Sequence, residues 1–380
     1  MCGILGCVGE IDFDLESFSM ANNLMSHRGP DDSGVWKNEN NEVIFGHRRL
    51  SILELSSKGS QPMQSRSNRF VISYNGEIYN HLEIREKLER EFSFLSNSWK
   101  GNSDTETILA CLDSYGIKKT LNLLTGMFSF AVWDKFDNKL YLTRDRIGEK
   151  PLYLSFLKGR LYFSSELKAI KFLSKEKLKI SADSLGLFFK YSYIPFPYSI
   201  YENTFKLEPG TFLEITPQQI KNLSFPIKFK DLKEKEIIKH YWKLEDVLTT
   251  SSQNLFKTKE EAIYEIEKGL TKAVKSQLIS DVPLGAFLSG GIDSSLITAL
   301  MQNNSTNKVK TFTIGFEEKE FDESIYAKRI ASVLGTDHTE HVISMDEALK
   351  IIPDLPNIYD EPFSDSSQIP TILVSAITKK

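Results

Sequence analysis

The sequence has few cysteines, no long apolar run and no excess of charge of either sign. Its three cysteines, Cys2, Cys7 and Cys111, are too few and odd in number for a disulfide framework, and no Cys-x-x-Cys or histidine cluster predicts a zinc site. Lys and Arg number 47 against 51 Asp and Glu, so there is no basic field for nucleic acid or anionic lipid. No apolar run approaches the roughly 20 residues of a membrane span, and a signal peptide is missing. These absences favour a cytoplasmic protein whose partners are neither nucleic acid nor membrane.

The composition provides enough apolar material for more than one hydrophobic core. The chain has 380 residues, of which 41% are hydrophobic and 11% aromatic, and at roughly 150 residues per domain this length predicts two domains. Residues 2–215 carry short apolar or alternating runs such as FVISYNGEIY and KLYLTRD, which predict strands. Helical stretches lie among them, and Ser103 and Glu106 fit a capping box at the start of one. This half predicts an α+β domain with packed layers.

The pattern changes after residue 215. Residues 216–255 are rich in Lys, Ser and Thr without clear periodicity, which predicts a linker or surface loop. From residue 256 onward, predicted helices alternate with strands such as KVKTFTIGF, and this alternation predicts right-handed crossovers and a parallel sheet. Since the sequence contains only about three such strands, we expect residues 256–380 to form an α/β domain that is truncated and has an open sheet edge.

A glycine-rich segment, SGGIDSS (289–295), lies between the predicted strand PLGAFL and a predicted helix. This arrangement presents backbone N–H groups and a helix N-terminus to an anion, and glycines allow close approach of the backbone. The lysine of a Walker A loop is absent. Asp293 would repel a bare phosphate, so we expect it to help hold a magnesium ion that bridges phosphates. A serine-capped turn without a ligand is the alternative, and the combination of residues favours phosphate.

Cys2 is a candidate nucleophile. It follows Met1 and precedes a glycine, so we expect Met1 to be removed and the mature chain to begin with a cysteine. Because the reference pKa is about 7.7–8.0 for an α-amine and about 8.5 for a thiol, the amine can act as general base for its own side chain. His27 and His47 are therefore predicted to be structural. Polar segments that end apolar runs are candidate parts of the same site: HRGPD (27–31), HRRLSI (47–52), YNGEIYN (74–80) and SDTE (103–106).

Together these segments resemble the class II glutamine amidotransferases, N-terminal-nucleophile enzymes with a four-layer αββα fold. SGGIDSS resembles the Ser-Gly-Gly-x-Asp-Ser signature of ATP pyrophosphatases, and with it the resemblance narrows to the glutamine-hydrolysing asparagine synthetase family. The resemblance covers nearly the whole chain. Further matching stretches are RDRIGEKPLYL (144–154), FSSELKA (163–169) and DEPFSDSSQIPT (360–371).

The resemblance implies roles for residues of the first domain. Cys2 would attack the glutamine amide, form a γ-glutamyl thioester and release ammonia. Asn75 and Gly76 would form the oxyanion hole, which stabilises the developing negative charge. Arg49 would hold the α-carboxylate of glutamine, because a guanidinium fork matches a carboxylate. The implied glutamine-binding residues are Arg49, Asn75, Glu77 and Asp104, of which the two carboxylates would take the α-ammonium.

Each of these residues also has a structural alternative. Asn75-Gly76 fits a type I′ turn, and Asp104 fits the first turn of a helix, where a carboxylate interacts favourably with the helix dipole. Arg49 fits a surface ion pair. The resemblance favours the functional roles over these alternatives.

In the second domain the resemblance implies an ATP site. In ATP pyrophosphatases the end of the second strand contacts adenine, and here that position falls at Thr313-Ile314-Gly315, although Ile314 fits an ordinary strand core equally well. Asp360 and Glu361 would lie near the substrate or the magnesium ion, and Asp293 would be the metal ligand. The implied ATP-binding residues are Leu288, Ser289, Gly290, Gly291, Asp293, Ser294, Ser295, Ile314 and Gly315.

The implied activity is glutamine-dependent asparagine synthesis. The first domain would hydrolyse glutamine, and the second would use ATP and Mg²⁺ to adenylate aspartate, which ammonia then converts to asparagine. Two alternatives stay open: an amidotransferase for a uronic acid sugar in surface polysaccharide synthesis, and a truncated chain with glutaminase activity only. The substrates would be glutamine, aspartate and ATP. The candidate assembly is a homodimer, although the sequence leaves the oligomeric state open.

Overall fold

The computed structural model describes residues 1–96, 98–318 and 322–378. The chain forms two compact units, Met1–Gln253 and Asn254–Lys380. The strands of the first unit are β1 (Gly3–Val8), β2 (Asp32–Lys37), β3 (Val43–Arg49), β4 (Met63–Gln64), β5 (Phe70–Ile78), β6 (Gly126–Asp134), β7 (Lys139–Arg144), β8 (Tyr153–Leu157), β9 (Arg160–Ser164), β10 (Thr204–Lys206), β11 (Thr211–Ile215) and β12 (Ile238–His240). Its helices are α1 (Leu15–Asn23), α2 (His81–Glu91), α3 (Asp104–Leu123), α4 (Leu167–Ser174), α5 (Ala182–Tyr191), α6 (Pro217–Lys221), α7 (Phe229–Glu234) and α8 (Leu244–Ser251).

The strands of the first unit form two antiparallel sheets within the described residues. The strand order is β10-β8-β9-β1-β3-β2 in the first sheet and β12-β11-β7-β6-β5-β4 in the second. One apolar core joins the two sheets, and it contains Ile4 and Phe45 from the first sheet and Val71 and Ala131 from the second. Helices α1 and α4 cover the outer face of the first sheet, and α2 and α3 cover that of the second. The expected four-layer αββα fold is therefore confirmed.

Strand periodicity explains why both faces of each sheet are buried. In β1, Ile4 and Val8 point into the core between the sheets, whereas Leu5 and Cys7 pack under the helices of the outer layer. Successive side chains of a strand point to opposite faces, so a strand covered on both sides is apolar at nearly every position. Full burial of one such side chain contributes about 1.5–3 kcal/mol.

The predicted linker over 216–255 needs correction, because residues 216–253 belong to the first unit. Strand β12 pairs with β11 and extends the second sheet. Several apolar residues of this segment, among them Ile220, Leu232 and Ile238, are buried in the core between the sheets. Its helices α6 and α7 have only five and six residues, which is too short to produce the helical periodicity that sequence patterns rely on. The end of the segment matches the prediction of a surface loop, since α8 has no buried residue.

The second unit is an α/β domain with a parallel sheet, as predicted. Its strands are β13 (Gly285–Phe287), β14 (Lys310–Phe316) and β15 (Asp337–Ile343), and they lie side by side in this order. All recorded pairs are parallel. The helices are α9 (Lys259–Ser276), α10 (Ile292–Asn303), α11 (Ser324–Leu334), α12 (Met345–Leu349), α13 (Leu355–Ile358) and α14 (Gln368–Thr378). Among the described helices of either unit, none is long and apolar enough to cross a bilayer.

Candidate active site

Cys2 lies immediately before β1, at the edge of a cavity in the first unit. Its Sγ accepts a hydrogen bond from the Leu50 N–H at 3.4 Å and lies 3.7 Å from the Leu50 carbonyl oxygen. Burial raises the pKa of the Cys2 thiol. Burial, together with the charges of Arg28 and Lys150, lowers the pKa of the Met1 α-amine to about 6. The Met1 α-amine is therefore largely unprotonated at neutral pH.

All six residues that the sequence predicts for glutamine chemistry line this cavity. Its volume is about 260 Å³. The segments that contribute them are far apart in the sequence: the N-terminus, the end of β3, the end of β5 and the start of α3. The predicted residues in the lining are Cys2, Arg49, Asn75, Gly76, Glu77 and Asp104.

Asn75 and Gly76 lie within β5 and not in a turn, so the alternative of a type I′ turn is wrong. Asn75 is opposite Ser129 and Gly76 is opposite Phe128 in the ladder between β5 and β6. A Cβ added to Gly76 would lie 2.2 Å from the Met127 carbonyl oxygen. Glycine is therefore required here by the close approach of the neighbouring strand.

The side-chain amide of Asn75 is buried without a partner. Its exposed fraction is 1%, and neither Nδ2 nor Oδ1 has a hydrogen-bond partner among the described residues. Burial of an unpaired amide is unfavourable by about 1–3 kcal/mol, and such groups mark positions where a ligand supplies the missing bond. Asn75 lines the same cavity as Cys2, and its Nδ2 is a donor of the kind that an oxyanion accepts from.

Arg49 ends β3 and reaches into the loop that follows. Nη1 donates to the Ser56 carbonyl at 2.9 Å, and Nη2 donates to the carbonyls of Leu53 and Glu54. A guanidinium has five N–H donors, so within the described residues these three bonds leave two donors for a ligand. Arg49 is buried and is not the surface ion pair of the structural alternative. It orders the loop and can still contact a carboxylate.

The carboxyl groups of Asp104 and Glu77 form the acidic part of the cavity lining. Asp104 is buried in the first turn of α3 and accepts hydrogen bonds from the Tyr74 hydroxyl at 2.7 Å and the Ile78 N–H at 2.9 Å. Burial raises the pKa of Asp104, and burial and the nearby Asp104 charge raise the pKa of Glu77. Each carboxylate would be stabilised in its charged form by a cation bound between them. The pair is therefore suited to an ammonium group.

Several lining residues were not predicted from the sequence. Lys150 is buried, and its Nζ donates to the Met1 sulfur at 3.2 Å. Burial lowers the pKa of Lys150, against the opposing charge of Glu77. Gln61 accepts a hydrogen bond from the Tyr74 N–H at 2.7 Å. The signal for Lys150 was present in the matching stretch RDRIGEKPLYL, where it is a lysine flanked by proline, but no pattern within the stretch indicates that it faces Cys2.

In the second unit the predicted nucleotide loop follows β13 and leads into α10. Gly290 has φ of +81°, and a Cβ there would lie 2.8 Å from the Cβ of Tyr326. Gly291 is the N-cap of α10 and supplies no side-chain cap. The first-turn N–H groups of this 12-residue helix are therefore available to an anion. The backbone fits a phosphate.

A cavity of about 800 Å³ adjoins this loop. Of the predicted ATP-binding residues, Leu288, Ser289, Ser294 and Ile314 line it. Ser289 and Ser294 are joined by a hydrogen bond of 3.0 Å between their hydroxyl groups. The lining does not include the other predicted residues, which are Gly290, Gly291, Asp293, Ser295 and Gly315. Residues of the loop, of helix α10 and of strand β14 thus line one cavity. In parallel sheets, ligands bind at the carboxyl ends of the strands.

Asp293, the predicted metal ligand, is not part of a cluster of metal-ligating side chains within the described residues. Asp293 is exposed in the first turn of α10. Asp360 and Glu361 line a separate cavity of about 350 Å³. Within the described part of the chain no group of three or more His, Cys, Asp or Glu side chains converges. Asp293 lies in the first turn of the helix that follows the glycine-rich loop.

The comparisons with known proteins agree with this geometry. Residues 1–226 match the family model of the glutamine amidotransferase domain, and residues 265–380 match that of asparagine synthase. A putative asparagine synthetase [glutamine-hydrolyzing] 2 of Methanocaldococcus jannaschii is 37% identical over 403 residues, covering 100% of this chain and 72% of that protein. The chain belongs to the glutamine-hydrolysing asparagine synthetase family.

Other relatives in this family are longer than the chain. Asparagine synthetase [glutamine-hydrolyzing] 1 of Bacillus subtilis is 33% identical, over 100% of this chain and 56% of its own length. Asparagine synthetase [glutamine-hydrolyzing] 3 of the same organism is 30% identical, over 95% of this chain and 58% of its own length. The chain therefore spans a little over half the length of these two family members.

Proposed function

We propose that the first unit hydrolyses glutamine to glutamate and ammonia, with Cys2 as the nucleophile. The observation that carries this proposal is the buried, unpartnered amide of Asn75 in the same small cavity as the Cys2 thiol. Asn75 Nδ2 and the Gly76 N–H would donate to the oxyanion that forms when Sγ attacks the amide carbon. A site that holds a nucleophile, two oxyanion donors and charged groups of both signs suits an α-amino acid amide.

The proposed hydrolysis has two steps, which are formation of the γ-glutamyl thioester and its hydrolysis. After removal of Met1, the Cys2 α-amine takes the thiol proton while Sγ attacks the γ-amide carbon of glutamine. The tetrahedral intermediate collapses, the C–N bond breaks, and the α-ammonium returns the proton so that ammonia leaves. A water molecule then attacks the γ-glutamyl thioester, which releases glutamate and regenerates the thiol.

The charged groups of the cavity explain the choice of substrate. The two N–H donors that Arg49 retains would bind the α-carboxylate of glutamine, and the Glu77 and Asp104 carboxylates would bind its α-ammonium. Binding of the ammonium would also lower the energy of two carboxylates that burial now disfavours. An amide without both charges would lose these contacts, so we expect strong selection for glutamine over simple amides.

We further propose that the ammonia serves an ATP-dependent amidation linked to the second unit. The glycine loop before α10 and the adjoining cavity would bind ATP, with Mg²⁺ neutralising its phosphates near Asp293. Aspartate and ATP would give aspartyl-adenylate and pyrophosphate, and ammonia would then give asparagine and AMP. The names of the relatives support aspartate as the acceptor. A cytoplasmic location and a homodimer stay predictions.

The first half of this proposal is tested by assaying the 380-residue chain for glutamine-dependent release of glutamate and ammonia. Cys2→Ala should reduce the rate by at least roughly 10³-fold, because it removes the nucleophile. Cys111→Ala is the matched control, since Cys111 is buried away from the cavity, and it should retain activity. An inactive parent chain, or equal activity in the Cys2 variant, would contradict the proposal.

A further inference from the structure

The stretch FSSELKA (163–169) has no role in the proposed chemistry, yet it contacts the segment that carries the nucleophile. The Ser165 hydroxyl accepts a hydrogen bond from the Ile4 N–H at 3.1 Å, and the Ser165 N–H donates to the Ile4 carbonyl at 2.9 Å. The Ser164 hydroxyl donates to the same carbonyl at 3.1 Å. Three hydrogen bonds therefore fix the backbone two residues after Cys2.

Glu166, the next residue of the stretch, continues this support through Arg28. The Arg28 Nη1 donates to Glu166 Oε1 at 3.1 Å, while Arg28 Nε donates to the Cys2 carbonyl at 3.0 Å. Both side chains are about nine-tenths buried, with exposed fractions of 10% and 11%. A single guanidinium thus joins a buried carboxylate to the main chain of the nucleophile.

Three basic side chains, those of His27, Arg28 and Lys168, contact the Glu166 carboxylate. His27 Nε2 lies 2.9 Å from Oε1, and Lys168 Nζ lies 3.2 Å from Oε2. Burial alone would raise the pKa of Glu166, but the hydrogen bond from His27 and the charge of Arg28 outweigh it and lower the pKa to about 2. Glu166 is therefore ionised throughout the physiological range, and it holds Arg28 by a charge-assisted bond.

The position of Cys2 in the fold makes this contact important. Cys2 precedes β1, whose ladder with β3 begins at the pair Gly3 and Arg48. The bond from Arg28 therefore restrains the main chain of Cys2 where the strand has not yet begun. Both the α-amine and the Sγ of Cys2 project from that backbone, so its orientation sets the direction of base and nucleophile together. Misplacement by about 1 Å can reduce a rate by roughly 10²-fold.

We propose that Glu166 is a positioning residue for the nucleophile: it clamps Arg28, which in turn fixes the backbone of Cys2. Glu166 is absent from the described lining of the cavity, and Arg28 joins it to the Cys2 carbonyl. This inference rests on the proposed glutaminase function. According to this inference, HRGPD and FSSELKA act together. HRGPD supplies the Arg28 guanidinium, and FSSELKA supplies the Glu166 carboxylate that holds it.

The test is the kinetics of glutamine hydrolysis by Glu166→Gln in the full chain. The variant keeps the size of the side chain but removes its charge, so kcat should fall about tenfold or more, with KM for glutamine within about twofold of the parent. Lys168→Met is the matched control, because it removes a partner of Glu166 and leaves the bond to Arg28 in place. It should retain the parental kcat. Thermal melting of both variants shows whether they fold.

A double-mutant cycle separates positioning from a general structural effect. Arg28→Lys keeps the charge but loses the fork that reaches Glu166 and Cys2 together. If Glu166 acts through Arg28, the double variant should be no slower than Arg28→Lys alone. Multiplicative losses, a loss carried by KM, or a parental kcat in a folded Glu166→Gln would each overturn the inference.

Labelling of Cys2 by a glutamine-like electrophile gives a second readout that needs no turnover. Glu166→Gln should lower the limiting labelling rate about tenfold and leave the half-saturating concentration unchanged. Labelling of Glu166→Gln at the parental rate contradicts this inference while the proposed function stands. A parent chain that neither hydrolyses glutamine nor is labelled contradicts both.

Discussion

The two units place their candidate sites in very different surroundings. In the first unit the cavity lies beside extensive apolar cores, and its polar groups, including Asn75 and Asp104, are almost fully buried. In the second unit the buried cluster described near the loop consists of Leu288, Ala327 and Ala331, and Ile292 in α10 is 86% exposed. The first site can therefore hold unpaired polar groups and shifted pKa values, whereas the second depends on the shape of its backbone.

This difference predicts which changes matter in each unit. A buried site is sensitive to single side-chain atoms, since low local polarity strengthens each interaction. A loop that presents N–H groups is sensitive to backbone conformation and tolerant of side-chain changes. The three predictions that follow test these two sensitivities in turn.

The largest expected effect is that of Asn75→Ala in the first unit. Loss of one oxyanion donor should lower kcat for glutamine hydrolysis about 10²–10³-fold, with a much smaller change in KM, because the bond forms mainly in the transition state. Steady-state kinetics of the purified chain give both constants. Asn222→Ala is the control, since Asn222 is exposed and distant in sequence from every lining segment. A kcat within threefold of the parent would contradict the assigned role.

The second effect is one of stability in the second unit. Gly290→Ala places a Cβ at φ of +81° and close to Tyr326, so the backbone conformation alone should reduce the free energy of unfolding by about 1–2 kcal/mol. Gly269→Ala is the matched control, because its Cβ meets no atom within 4 Å in α9. That control should stabilise the unit by about 0.5–1 kcal/mol.

The chain allows the two units to be followed separately in this experiment. Its four tryptophans, Trp36, Trp99, Trp133 and Trp242, all belong to the first unit. In Gly290→Ala, the unfolding transition followed by tryptophan fluorescence should therefore keep the parental denaturant midpoint. Amide hydrogen exchange of residues 310–316 should become faster in the same variant. If fluorescence and hydrogen exchange report the same loss of free energy of unfolding, the two units are not independent in stability.

The smallest expected effect is a shift of the pH profile by Lys150→Met. A protonated amine cannot accept the thiol proton, so activity should fall as the pH falls through the pKa of the α-amine. The positive charge of Lys150 helps to lower the pKa of the Met1 α-amine, and we expect it to act in the same direction on the Cys2 α-amine once Met1 is removed. Removal of this charge should therefore move the acidic limb of kcat/KM to higher pH. Activity near pH 6 should fall more than activity at pH 8. Lys221→Met, at an exposed lysine of α6, should leave the limb in place, and an unmoved limb in Lys150→Met would contradict this role.

The fold classes of the two units were predictable because the patterns of strands and helices are local. The roles of the site residues came from the family resemblance, since the local pattern of Asn75-Gly76 alone favours a type I′ turn, whereas the pair lies in a strand. The capping box at α3 shows the limit of such patterns: Ser103 accepts from the Thr105 N–H as an N-cap, but Glu106 bonds the N–H groups of Lys100 and Gly101. The hydrogen-bond partner of such a side chain depends on which groups the tertiary structure places near it.

The contacts that were not predicted depend on long-range packing. Arg28 and Glu166 are 138 residues apart and meet only when α1, β1 and β9 have assembled. Lys150 reaches the N-terminus across a similar separation. Residues 217–240 fall within the segment 216–255, which the sequence predicts to be a linker. The buried residues here, such as Ile220 and Leu232, are separated by lysines and occupy helices of one or two turns. Neither the ion pair between Arg28 and Glu166 nor the burial of Ile220 and Leu232 produces a periodic pattern in the sequence.

The most direct test of the central claim is to find the covalent intermediate. The chain is mixed with glutamine, quenched in acid during turnover, digested and examined by peptide mass spectrometry. We predict a γ-glutamyl group on Cys2, in a peptide that begins at Cys2 because Met1 has been removed. Turnover with no label, or a label at Cys7 or Cys111, would contradict the assignment of Cys2 as the nucleophile of the first unit.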